Sequence, residues 1–216
     1  MQPFDLTFGS LLAYCPSGTN AEAAKAREVK NYVKNERTFE GPPKQTMSER
    51  VAEMVSENIN SLPFKHFFGR DVSFVPVPSS GLILPGGLWV PERISSELSK
   101  KGLGVNYPCL ERLKPVAKSS LSKPSDRPSA IDHYNSIGVK SLVQQPKTIV
   151  LVDDVVTRGS TFIGCAYRLK EKFPGVPIVA FAAMRAVLKV SDFKTWRDPC
   201  VGKIKLYKSG KTFREP

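Results

Sequence analysis

Two aspartates stand side by side at the end of an aliphatic run in residues 149–161, IVLVDDVVTRGST. Adjacent carboxylates repel each other, so Asp153 and Asp154 need something to hold. An ionised carboxylate only accepts hydrogen bonds, and hydroxyl groups are suitable donors. Thr157, Arg158, Gly159, Ser160 and Thr161 follow with small side chains, hydroxyls and a glycine that lets backbone approach a ligand closely. If a helix starts there, its first N–H groups form a cradle for phosphate. Together the two halves fit a ligand with vicinal hydroxyls near a phosphate, and a ribose 5-phosphate is the obvious candidate. The plainer alternative is that the aspartates cap a turn that Gly159 merely shapes.

Positioning such a ligand requires a rigid frame. Within a strand predicted over Thr148 to Val152, Ile149 to Val152 is continuously apolar, as in a central strand covered on both faces, and ligands of open α/β sheets sit at the carboxyl ends of such strands. The spacing predicts a helix from about Ser160 to Lys172 and a strand from Ile178 to Ala182. Upstream, the short β-branched stretch VSFVPVP reads as a strand stopped by Ser79-Ser80-Gly81. Pro91 to Lys101 reads as a helix and Val105 to Leu113 as a further strand. Strands alternating with helices predict an α/β fold with a parallel, doubly wound sheet and helices on both faces. The first 70 residues read as a helical extension packed on the core, with capping boxes at Thr19–Glu22 and Thr46–Glu49. Residues 71–216 then form the α/β domain with a basic tail.

The chain has 216 residues, long enough to bury a core, and a net charge of +12. Residues 148–216 hold 13 Lys and Arg against 6 Asp and Glu, so the excess grows toward the C-terminus. A positive surface favours polyanions, either nucleic acid or a phosphorylated small molecule. The tail KIKLYKSGKTFREP is compatible with nucleic acid but reads rather better as an edge strand. Cys15, Cys109, Cys165 and Cys200 show no paired spacing, so they read as small buried hydrophobes rather than a zinc site or disulfide framework. With no long apolar stretch and no basic, apolar leader at the N-terminus, a soluble cytoplasmic protein is expected.

The run at 149–161 resembles the phosphoribosyl pyrophosphate (PRPP) motif of the type I phosphoribosyltransferases, in which aliphatics lead into two acidic residues and a phosphate loop. The resemblance implies that Asp153 and Asp154 hold the ribose hydroxyls and that Thr157, Arg158, Gly159, Ser160 and Thr161 hold the 5-phosphate. It also implies a pyrophosphate loop at Ser79, Ser80 and Gly81, a hood, and a flexible flap over Lys-, Ser- and Pro-rich residues 114–130. Lys114, Lys118, Lys123 and Arg127 lie in that flap, and Arg127 is best suited to grip phosphate oxygens. His133 is a candidate base near the acceptor, weighed against an ordinary structural histidine. The Pro-Val-Pro spelling at 76–78 is most similar to the ComF-type branch, whose zinc cysteines this chain lacks.

The implied activity is glycosyl transfer: a nitrogen nucleophile displaces pyrophosphate from ribose C1. Mg²⁺ would be bound through the ligand, and Asp153 and Asp154 would meet it only indirectly. The implied partners are PRPP or a nucleotide and an unspecified acceptor base, with pairing of two copies compatible. Thr157, where 6-oxopurine enzymes resemble one another in carrying an Asp, argues against hypoxanthine or guanine. The other reading is a non-catalytic phosphoribosyltransferase-fold protein acting as a binding, regulatory or DNA-uptake accessory factor, since fold does not fix function.

Overall fold

A computed structural model describes residues 1–40, 42–84, 86–117, 127–140 and 145–216. In chain order the described elements are β1 (Phe4–Tyr14), α1 (Ala21–Asn35), β2 (Thr38–Phe39), β3 (Gln45–Thr46), α2 (Met47–Asn58), β4 (Val72–Pro76), α3 (Val90–Lys100) and β5 (Val105–Asn106). They continue with β6 (Leu110–Arg112), α4 (Ala130–Asn135), β7 (Ile137–Val139), β8 (Thr148–Val156), α5 (Ser160–Lys172), β9 (Ile178–Ala186), β10 (Cys200–Leu206) and β11 (Thr212–Glu215).

The aliphatic run that ends in the aspartates lies in β8, flanked by β9 and β4, both parallel to it. Ile149 and Leu151 pack with Phe162, Ile163, Ala166 and Leu169 of α5. Val150 and Val152 pack on the opposite side with Val51 and Val55 of α2 and Ile94 and Leu98 of α3. Burial on both faces is why this strand shows no apolar–polar alternation. The whole sheet has seven strands in the order β11-β10-β1-β9-β8-β4-β5, parallel from β1 to β5, with β10 and β11 added antiparallel at one end. The molecule is therefore an α/β protein with helices on both faces of a mostly parallel sheet. No described helix is long and apolar enough to cross a membrane.

The N-terminal stretch departs from the expected helical extension. α1 and α2 are present, but Phe4–Tyr14 is a strand inside the sheet, between β9 and β10. Its outer turns of sequence are interrupted by Asp5, Thr7, Gly9 and Ser10, which hides the buried Leu6, Phe8, Leu11 and Leu12. Gly9 is required by contact: an added Cβ would lie 2.7 Å from the Phe64 ring. The first helix is capped one residue later than its sequence suggests, because Asn20 rather than Thr19 accepts from the Ala23 N–H, at 2.8 Å. The second capping box forms as expected, with Thr46 and Glu49 bonding reciprocally.

The single strand expected over Val105 to Leu113 is two strands. β5 joins the main sheet while β6 pairs with β7, because Pro108 cannot donate to a ladder and a tight turn from Tyr107 to Cys109 redirects the chain. Most of the expected flap, including Lys118 and Lys123, falls in residues 118–126 and lies outside the described residues. The tail folds as the β10–β11 hairpin, with β11 at the sheet edge. Cys15, Cys109 and Cys165 are buried free thiols, Cys109 pushed up to about 12 by burial, while Cys200 is only partly covered.

Candidate functional site

Sequence and sheet geometry converge at the carboxyl end of β8. The strand runs through Val156, so both aspartates lie within it rather than just after it. Gly159 turns the chain with φ of 82° and α5 begins at Ser160. A left-handed φ favours glycine, and an added Cβ would also lie 2.6 Å from Ile204 of β10. Having no side chain, Gly159 leaves the first N–H groups of α5 without a side-chain cap, as an anion site requires. Gly159→Ala is expected to cost about 2 kcal/mol through the φ penalty and the forced shift of Ile204, checked by the denaturant midpoint at unchanged m.

These residues line one cavity. Asp153, Thr157, Arg158, Gly159, Ser160 and Thr161 form one wall, and Arg127 and His133 face them. Six of these eight belong to the expected ribose and phosphate site, and the other two, Arg127 and His133, are the expected flap contact and the candidate base. Ser79, Ser80, Gly81 and Lys114 do not line this cavity. The Ser79–Gly81 loop is nevertheless tethered nearby through Arg112, whose guanidinium donates to the carbonyls of Ser79 (2.8 Å) and Pro78 (3.3 Å) and to Ser136 Oγ (2.5 Å). Val116 N–H donates to the Ser80 carbonyl at 2.8 Å. Lys114 is exposed just beyond β6.

The acidic pair solves its repulsion by dividing the charge. Consecutive residues in a strand leave on opposite sides, so Asp153 enters the cavity while Asp154 turns toward α1. There Lys34 Nζ bonds both Asp154 oxygens, at 3.1 and 3.3 Å. Burial disfavours the Lys34 charge, yet Asp154 and Asp153 together outweigh it and raise its pKa. Asp153 is held well above the usual carboxylate range, first by burial and then by the Asp154 charge. The two side chains thus lie in different surroundings, Asp153 in the cavity and Asp154 paired with Lys34.

His133 reaches the cavity because α4 lies against Gly164, where any side chain would collide with the His133 Cβ at 2.6 Å. Its Nε2 is 3.3 Å from Thr161 Oγ1, while Nδ1 is buried without a partner. Burial, then the nearby Arg112 charge, lowers its pKa to about 4, so it is neutral at pH 7.

Three residues escaped sequence reading: Tyr14, Lys34 and Arg214. Tyr14, at the end of β1, has its pKa raised by burial and senses the charges of Lys34, Asp154, Arg127 and Arg214. Each arrives from a different element, and none carries a local signal. Among the described residues no three His, Cys, Asp or Glu side chains cluster to hold a metal ion. Mg²⁺ demands six oxygens, and with Asp154 paired to Lys34 it would take most of them from a ligand and water. Against models of known protein families and against curated protein sequences, the chain gives no match.

Proposed function

We propose that the protein binds PRPP, or a nucleotide carrying ribose 5-phosphate, and transfers the phosphoribosyl group to a nitrogen nucleophile with release of pyrophosphate. The observation that carries this reading is that Asp153 and the open start of α5 share one cavity. The 5-phosphate would lie on the N–H groups of Ser160 and Thr161, with Arg158 and Arg127 supplying positive charge. The ribose hydroxyls would then meet Asp153 and, once Lys34 yields, Asp154.

In the reaction the C1–O bond to pyrophosphate breaks, the C1–N bond forms, and the nucleophile gives up its proton. Bound Mg²⁺ would neutralise charge on the departing pyrophosphate, held by the ligand's oxygens with Asp153 and Asp154 reached through ligand or water. The chain's own contribution is positioning and fixed positive charge, with no covalent intermediate required. His133, neutral at pH 7, can accept a proton only if the ligand brings the acceptor within reach.

The test is pyrophosphate release from PRPP and Mg²⁺ across a panel of nitrogenous bases. Release that requires one base or a small set of them is the expected result. Tight PRPP binding with no release for any acceptor would move the protein to the binding-only class, and absence of PRPP binding would overturn the reading altogether.

A further inference from the structure

We infer that the C-terminal hairpin β10–β11 is a working part of the phosphate loop, with Arg214 and Thr212 as positioning residues that hold Thr157 to Ser160 in an anion-accepting form. The inference rests on the ribose 5-phosphate reading of that loop. Three separate contacts join the two segments. Arg214 Nε donates to the Thr157 carbonyl at 2.7 Å, and its Nη2 donates to the Ala186 carbonyl. Ser160 Oγ and Thr212 Oγ1 share a hydrogen bond of 2.7 Å. Ile204 fills the space beside Gly159.

The chemistry follows from what each contact restrains. A carbonyl engaged by a guanidinium cannot swing round to face a phosphate, so the negative end of the Thr157 peptide stays out of the cradle and the N–H groups remain to receive the anion. The Ser160 hydroxyl is fixed at the first residue of α5. Arg214 is otherwise an expensive choice at a sheet edge, since its Nη1 is buried without a partner and Arg185 lies close enough to depress its pKa further after burial has done so. A dianionic phosphate on the far side of the loop offsets that buried positive charge. Ligand and hairpin should therefore stabilise each other, as linkage requires.

The experiment uses the full chain, wild type, Arg214→Lys and Thr212→Val, titrated calorimetrically with ribose 5-phosphate at fixed salt. Hydrogen exchange of residues 212–215 is followed with and without the same ligand. Arg214→Lys keeps the charge and loses the fork, and is expected to bind about tenfold more weakly; Thr212→Val, losing one hydrogen bond, about threefold. In the wild type, ribose 5-phosphate should slow exchange in the hairpin, an effect that a purely structural strand would not show. Wild-type binding with both variants unchanged, or with no added protection of the hairpin, overturns the coupling alone. No binding by the wild type overturns the functional reading and this inference together. If Arg214→Lys does not fold, Thr212→Val decides by itself.

Discussion

Replacing both Asp153 and Asp154 by Asn is expected to weaken PRPP binding about thirtyfold or more. Each Asn keeps the shape and part of the accepting capacity of the residue it replaces but loses the stronger, charge-assisted acceptor, at about 1 kcal/mol or more for each position. A purely Coulombic picture predicts the opposite sign, because the double replacement removes negative charge beside the phosphate and leaves Lys34, now 3.1 Å from Asp154, without its carboxylate. Calorimetric titration with PRPP and Mg²⁺ at constant ionic strength, with folding verified, separates the two. Tighter binding by the double variant would remove the carboxylates from the sugar site. The single replacements add detail: Asp153 lines the cavity, so Asp153→Asn should account for more of the loss than Asp154→Asn, whose partner Lys34 must already give way.

The second large effect is on stability against pH, and two neighbours in the cavity should mask each other. His133 has a folded pKa of about 4 against an ordinary 6.5. The unfolded chain therefore binds its proton first, and the stability that neutral His133 maintains above pH 6.5 is lost as pH falls toward 4, about 3 kcal/mol in all. Asp153 acts in the other direction. Its raised pKa means the folded protein takes up a proton where the unfolded chain has already released its own, so stability rises as pH falls toward the ordinary carboxylate value. In the wild type the slopes oppose. Asp153→Asn should unmask the His133 loss between pH 6.5 and 4, and His133→Gln should reverse the slope, so that this variant is more stable toward acid than at neutrality. Urea midpoints measured every half unit check both signs. Parallel pH profiles for the two variants would show that neither group is perturbed as their burial requires.

What could be read from the residues was the frame immediately around the acidic pair. Val150, Leu151 and Val152 had to be covered on both faces, and Gly159 followed by two hydroxyl residues marked the start of a helix, so β8 and α5 were legible together. The charge state of the pair was not legible. The Asp153 shift reflects its burial, the Asp154 charge and Lys34, which α1 carries to the site from more than a hundred residues away in sequence. A lysine near the end of a helix already rich in lysine gives no local sign that it will meet an aspartate in a strand. β1 itself was hidden for a related reason: its polar interruptions at Asp5 and Thr7 are tolerable because Asp5 is exposed and Thr7 only partly covered where the strand pairs with β10 alone, a fact of the assembled sheet. Arg214 likewise becomes a site neighbour only when the tail folds back as a hairpin.

The place of β1 in the sheet also has a bearing on how the protein is made. Phe8 pairs with Ala180 on one side and Gly202 on the other, so this strand is completed only by segments that leave the ribosome much later. At ordinary translation speeds of about 5–20 residues per second, Leu6, Phe8, Leu11 and Leu12 wait roughly 10–30 s with both strand edges bare. The parallel half from β4 to β9 can begin to assemble in that interval, but the slot for β1 opens only once β9 has emerged. Nascent chains stalled before residue 180 should therefore recruit holdase chaperones to the first fifteen residues, and release them when synthesis passes β10.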